Sequence, residues 1–365
     1  MSELQSLLER YVANGTIPGA VAALGRDDPE IVAVGSLAVG GPPMPADAIM
    51  RIQSMTKVVT AVAALQLVEQ GELDLDESIV PWLPELADRR VLTTPTAPLG
   101  DTRPAVREIT VRHLLTNTSG YGMIFQPSPL QEAMAANGTA AGTDPPAIGA
   151  DEWLARLAEL PLVGDPGDCW RYHHSFGVLG ILLARLTGQR IQDLIFAGLN
   201  DHGLWDTHYF VRPSQRRRLP AAYRHGPDGL EQVEPAAGGF YVGPPPFDIG
   251  HGELVSTAAD FHRFARLLAA GELTSAHHLG LLRRDQVAQL CKTDDSFFPG
   301  FWAGMGWGFG VCVRTGGARP GRYGWSGGLG TDFFVDPDGT VGVLLTQVEM
   351  GAELFPLIAE FAELG

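Results

Sequence analysis

From Val58 to Val68 the sequence reads Val-Val-Thr-Ala-Val-Ala-Ala-Leu-Gln-Leu-Val, apolar on nearly every face of a helix. A helix of that kind has no solvent side, so it must run through the centre of a domain with other elements packed all round it. Gly71 follows as a left-handed C-terminal stop. Just ahead of the apolar run stand Arg51-Ile52-Gln53-Ser54-Met55-Thr56-Lys57, with Ser54 at the first helical turn. Residues three apart share a helix face, so the Lys57 amine can lie against the Ser54 hydroxyl. A serine at a helix start with an amine one turn on has the parts of an activated nucleophile. The helix dipole there also favours negative charge developing during acyl transfer.

The pairing is unusual in this chain. It contains 13 serines and only two lysines, Lys57 and Lys292, so chance gives about 0.07 occurrences of Ser-x-x-Lys. All but two of the 26 basic residues are arginine. Arginine cannot give up its proton near neutrality, whereas a desolvated lysine can. The plainer alternative is a serine that merely caps a helix and a lysine that points to solvent.

Composition narrows the classes. A net charge of −16 argues against nucleic acid and anionic membranes as partners. Cys169, Cys291 and Cys312 lack the paired spacing of a disulfide framework or a zinc site. No apolar run approaches the ~20 residues of a membrane helix. The first ten residues read as an amphipathic helix without the basic and apolar regions of a signal peptide. A cytoplasmic enzyme is expected.

Strands are expected at Pro18–Arg26 and Glu30–Val39, then a short helix at Thr110–Leu115 with Thr110 as its cap. Residues 126–150, rich in Ala, Gly, Pro and Thr, read as an irregular surface excursion. Helices follow at Asp151–Leu160, Ser175–Leu186 and Gln189–Ala197, and 212–250 reads as coil. Thr257 caps a helix through Ala270. Strands then close the chain at Gly308–Arg314, Arg322–Ser326, Thr331–Val335 and Thr340–Gln347, before a helix at Ala352–Leu364. Asp336-Pro337-Asp338-Gly339 is a hairpin turn, proline presetting φ and glycine accepting φ > 0. The order implies an α+β fold: an antiparallel sheet built from both termini and flanked by helices, with a mostly helical part inserted. The expected division is 1–80 with 225–365 for the sheet, and 81–224 for the insert.

Several phrases in order along the chain carry a resemblance. They are Arg51-Ile52-Gln53-Ser54-Met55-Thr56-Lys57, then Ile109-Thr110-Val111-Arg112-His113-Leu114-Leu115-Thr116-Asn117-Thr118-Ser119-Gly120, Pro166-Gly167-Asp168-Cys169-Trp170-Arg171-Tyr172, Val178-Leu179-Gly180, Leu254-Val255-Ser256-Thr257-Ala258-Ala259-Asp260, and Gly324-Trp325-Ser326-Gly327-Gly328. From about residue 15 to about 347 the chain resembles the serine hydrolases related to class C β-lactamases and DD-peptidases, which share the penicillin-binding-protein fold. It is most similar to the family VIII carboxylesterases.

The resemblance implies Ser54 as nucleophile and Lys57 and Tyr172 as its proton-handling partners, with Tyr172 acting as a phenolate base. A phenol near pKa ~10 needs a neighbouring ammonium to do so. Backbone N–H groups of Ser54 and Gly328 would form the oxyanion hole. Two departures stand out: His174 occupies the asparagine position of the second motif, and the Lys-Thr-Gly of β-lactamases is Trp325-Ser326-Gly327. His174, Trp325, Ser326 and Gly327 are thus expected near substrate, with His174 alternatively a packed histidine and Trp325 an apolar wall replacing a cation. No cofactor and no metal are implied. The expected partner is a small-molecule ester or amide, with no nucleic acid or membrane, and the oligomeric state is open. The expected activity is a carboxylesterase. A β-lactamase, D-amino-acid peptidase or acyltransferase on the same scaffold, or a non-catalytic binding homologue, are the alternatives.

Overall fold

The structure, a computed structural model, describes residues 1–365. Its helices are α1 (Glu3–Ala13), α2 (Thr56–Glu69), α3 (Val111–Leu115), α4 (Pro129–Asn137), α5 (Ala150–Ala158), α6 (His174–Thr187), α7 (Ile191–Asn200), α8 (Ala258–Ala269), α9 (Ala276–Leu282) and α10 (Phe355–Leu364). The strands are β1 (Gly19–Gly25), β2 (Glu30–Gly35), β3 (Met50–Arg51), β4 (Arg90–Leu92), β5 (Thr102–Pro104), β6 (Ala222–Gly226), β7 (Gly229–Glu234) and β8 (Val255–Ser256), then β9 (Met305–Trp307), β10 (Cys312–Arg314), β11 (Tyr323–Gly327), β12 (Thr331–Val335) and β13 (Val341–Leu345). Seven of them form one antiparallel sheet in the order β2-β1-β13-β12-β11-β10-β9. The N-terminal hairpin therefore sits beside the last strand, and both chain ends build one sheet.

Strand parity produces the layers, since successive side chains point to opposite faces. Ala20 and Ala22 of β1 share a buried cluster with Leu4, Leu8 and Tyr11 of α1 and Phe361 of α10. Val21 and Ala23, one residue out of phase, join the main core with α2 and the apolar stripe of α8. The order is thus terminal helices, sheet, inner helices. α2 is buried along almost its whole length, Lys57 included, as an all-apolar helix must be. Gly71 takes φ +76° behind it. The β12–β13 hairpin closes as its sequence predicts, with Gly339 at φ +90° and its N–H donating to Asp336 O at 2.9 Å.

Three expectations need correction. Residues 126–150 are not wholly irregular: α4 lies within them, capped by the Ser128 hydroxyl, opened by Pro129 and ended by Gly138 at φ +77°. Those cap residues were a stronger signal than the missing periodicity. The stretch 212–250 contains the β6–β7 hairpin rather than coil alone. Gly308–Arg314 is not one strand either. Gly308 donates to Val311 O at 2.9 Å, with Gly310 at φ +75°, in a turn between the antiparallel β9 and β10. No helix is long and apolar enough to cross a membrane.

Candidate active site

The chain ahead of Ser54 is fixed from several sides. The Arg51 guanidinium is wholly buried and bonds Glu234 at 2.7 Å and Pro220 O at 2.8 Å. Gln347 closes a reciprocal pair on the Arg51 backbone, accepting its N–H and donating to its carbonyl, both at 3.0 Å. Ile52 donates to Leu254 O at 3.0 Å and accepts from the Thr331 hydroxyl at 3.0 Å. Gln53 then adopts φ +51°, a strained value for a side-chain-bearing residue, held by bonds from its amide to the Tyr241 hydroxyl (2.8 Å) and Thr143 O (3.3 Å). Residues 53–55 form one 3₁₀ turn that runs directly into α2.

Ser54 does not cap that helix with its side chain. Its Oγ lies 3.0 Å from Lys57 Nζ, and Lys57 Nζ also donates to His251 O at 2.7 Å. The alternative of a solvent-pointing lysine is thereby excluded. Burial holds the Lys57 amine well below the ordinary lysine range, with the Glu253 carboxyl opposing only in part. A neutral amine has two hydrogens and a lone pair, so Lys57 can donate to His251 O while accepting from Ser54.

Tyr172 enters from the segment before α6, its ring centroid 4.6 Å from Lys57 Nζ. Burial pushes its phenol above the usual range, with hydrogen bonds from Ser54 and Trp325 acting the other way. The Trp325 indole donates to the Tyr172 hydroxyl at 2.6 Å. Burial thus works against the phenolate form in which Tyr172 is expected to act, and against the neighbouring ammonium that would favour it. The shared buried site disfavours both charged forms alike.

The remaining residues divide. On β11 and its following turn, Gly327 packs so closely that a Cβ would stand 2.4 Å from Ile52 O, and one on Gly328 would meet Thr143 Cγ2 at 3.1 Å. The N–H groups of Ser54 and Gly328 donate to no turn or loop carbonyl. Ser326 points its hydroxyl to Asp332 at 2.6 Å, and burial pushes that carboxyl up to about 7. Trp325 is only partly buried and packs among Trp307, Phe297 and Phe301. His174 is the packed histidine of the two readings. It is buried, stacked on Trp153 at 6.3 Å, and donates through Nε2 to Thr139 O at 2.8 Å.

Gln53, His173, Tyr241, His251 and Glu253 belong to the site but were not anticipated. Glu253 accepts from the Tyr241 hydroxyl at 3.1 Å, and burial pushes its carboxyl up to about 8. Only the phrase His251-Gly252-Glu253-Leu254 flanking a resemblance segment hinted at this, and nothing local linked it to Ser54.

Comparison with known proteins places the chain in a family. A family model described as Beta-lactamase matches residues 4–359. Protein Rv1367c of Mycobacterium tuberculosis (strain ATCC 25618 / H37Rv) is 35% identical over 314 residues, covering 81% of this chain and 76% of that protein. Esterase EstB of Burkholderia gladioli is 30% identical over 332 residues, covering 84% and 78%. Among solved structures, "EstCE1, a hydrolase with promiscuous acyltransferase activity" superposes with a TM-score of 0.82 at 23% identity, covering 99% of this chain and 97% of that one. At that identity the last likeness concerns the fold.

Proposed function

The chain belongs to the beta-lactamase family, and on that premise we propose that it is a serine hydrolase that cleaves carboxylic esters through an acyl-enzyme on Ser54. The observation that carries the reading is the 3.0 Å contact between Ser54 Oγ and the Lys57 amine, whose burial disfavours the charged form. Ser54 attacks the ester carbonyl as its proton moves to Lys57 Nζ. The Ser54 and Gly328 N–H groups hold the oxyanion. As the C–O bond to the alcohol breaks, the Tyr172 hydroxyl gives its proton to the departing oxygen and recovers one from the Lys57 ammonium. Water then attacks the acyl-enzyme by the reverse route, giving up a proton and releasing the acid.

The same proposal keeps the two-part organisation, 1–80 with 225–365 as the sheet unit and 81–224 as the inserted unit, with Ser54 facing Tyr172 across their junction. A cytoplasmic site of action is supported by three unpaired cysteines. A second reading, transfer of the acyl group to an alcohol in place of water, draws support from the likeness to EstCE1, a hydrolase with promiscuous acyltransferase activity. Added alcohol would then yield a new ester instead of free acid. The central experiment is Ser54→Ala. It should fold normally, lose p-nitrophenyl ester hydrolysis by several orders of magnitude and lose labelling by a fluorophosphonate. A fully active Ser54→Ala protein, or a wild type that neither labels nor turns over, sinks the reading.

A further inference from the structure

Beside Ser54 a cavity of about 280 Å³ lies under residues 138–148, closed below by Trp153, His173 and His251. The upper wall is apolar or small: Ala140, Pro145, Pro146, Ala147 and Ile148. The floor is different. The His173 and His251 rings sit with centroids 3.8 Å apart, both residues are more than nine-tenths buried, and His251 Nδ1 has no hydrogen-bond partner. His173 is also held at φ +96°, ψ −72°, a conformation that costs a non-glycine residue of order 1–3 kcal/mol and persists only where its surroundings enforce it. The proposed chemistry at Ser54 uses neither ring.

We propose that this cavity is the subsite for the acyl chain of the ester, and that the His173–His251 pair selects a short, uncharged chain carrying a hydroxyl group. This rests on the hydrolase reading above. Position supports the acyl assignment. The His251 carbonyl accepts from Lys57 at 2.7 Å, and the cavity's upper segment touches Gln53 and approaches Gly328 through Thr143. The cavity therefore lies beside the nucleophile and the Ser54 and Gly328 amides. The Tyr172 hydroxyl, which serves the departing alcohol, lies instead with Trp325 and Phe297. The alcohol then leaves over that aromatic face, and the acyl chain takes the other side.

The chemistry supports the hydroxyl. Burial holds both histidines well below their usual range, so both are neutral. A neutral imidazole offers one donor and one acceptor, the complement of a hydroxyl, which is both. A carboxylate would find no cation, because Arg156 is already paired with Glu152 and exposed Asp144 stands at the rim. At ~30 Å³ per water the space corresponds to about nine waters, room for an acyl chain of several carbons.

The test compares p-nitrophenyl esters, which share one leaving group. Wild-type kcat/KM should be about five- to tenfold higher for the 3-hydroxybutyrate than for the butyrate, the effect of one net hydrogen bond. In His251→Leu, which keeps the carbonyl that Lys57 uses, that ratio should fall to about one. Ala147→Phe, introduced from the exposed rim, should lower the butyrate-to-acetate ratio about tenfold by filling the cavity, and it serves independently if His251→Leu does not fold. A wild-type hydroxyl ratio of one or less, an unchanged ratio in His251→Leu, or a preference for succinyl or 4-aminobutyryl esters overturns the assignment. The acetate ester separates the two levels. Ser54-dependent acetate turnover without any hydroxyl preference removes only the subsite, whereas absent acetate turnover removes the hydrolase reading with it.

Discussion

Lys57 is the residue on which the proposed chemistry turns, and its hydrogen bonds set the pH dependence. The amine must be neutral to accept the Ser54 proton, and burial lowers its pKa. A lowered pKa means the neutral form survives further into acid, so kcat/KM should fall only as pH drops through that lowered value, well short of the ordinary lysine range near ~10.4. A pH–rate profile whose acid limb sits at the ordinary lysine pKa would show that burial does not favour the neutral amine, and would overturn this prediction. Lys57→Arg keeps a charge but offers no lone pair, and its activity should collapse as far as that of Lys57→Ala. Trp325 gives the second prediction at this scale. Trp325→Phe keeps an aromatic wall but deletes the donor that favours a Tyr172 phenolate while the proton is in transit. A loss of about tenfold in kcat with little change in KM is expected from one such hydrogen bond. A change confined to KM would make Trp325 a binding surface only. Ser54 and Lys57 were legible because their pairing is local, three residues on one helix. The Trp325–Tyr172 bond joins positions 153 apart, and the bond from Lys57 to the His251 carbonyl joins positions 194 apart. No spacing rule reaches that far.

At the scale of elements, legibility followed the reach of the signal. The buried α2, the capped α8 and the β12–β13 hairpin each announce themselves within a dozen residues. The β6–β7 hairpin did not, because its exposed strand Gly229–Glu234 shows little alternation and is placed by tertiary contacts. One of those contacts reaches the site. Glu234 at the end of β7 is the counter-charge for Arg51, whose side chain is wholly buried three residues before Ser54. Removing one member of such a pair strands a charge in the interior, which typically costs ~3–5 kcal/mol, while replacing both by apolar groups costs far less. Glu234→Ala should therefore lose about that much stability in urea unfolding and reduce kcat by shifting the turn that carries Ser54. The double variant Arg51→Met/Glu234→Leu should recover most of the stability. If Glu234→Ala costs under ~1 kcal/mol, the bonds from Arg51 to Gln347 and Pro220 already suffice to hold the guanidinium.

Charge is a property of the whole molecule, and it bears on which acyl donors reach Ser54. The chain carries a net −16, which disfavours anionic substrates at long range, an effect that weakens beyond the ~8–10 Å Debye length of ordinary buffers. Close to the site the same preference is built in chemically. Penicillins and cephalosporins bring a carboxylate, and Trp325 offers it no cation where the resemblance to β-lactamases would place a lysine. The second lysine cannot replace it, because Lys292 is paired with Asp285 and lies over the Trp302 ring. Arg171 is occupied by Asp295. Losing one charge-assisted contact costs ~1.5–3 kcal/mol, or roughly one to two decades in rate, while an uncharged ester loses nothing and meets the Trp325 and Phe297 faces. On one enzyme preparation, kcat/KM for p-nitrophenyl butyrate should therefore exceed that for a chromogenic cephalosporin by at least ten- to a hundredfold. High salt should narrow the gap only slightly, because screening removes the long-range repulsion but cannot supply the missing cation. A cephalosporin rate equal to the ester rate would mean that another cation reaches the carboxylate when substrate is bound. A gap that vanishes in salt would mean that net charge, and not the residue at position 325, does the discriminating.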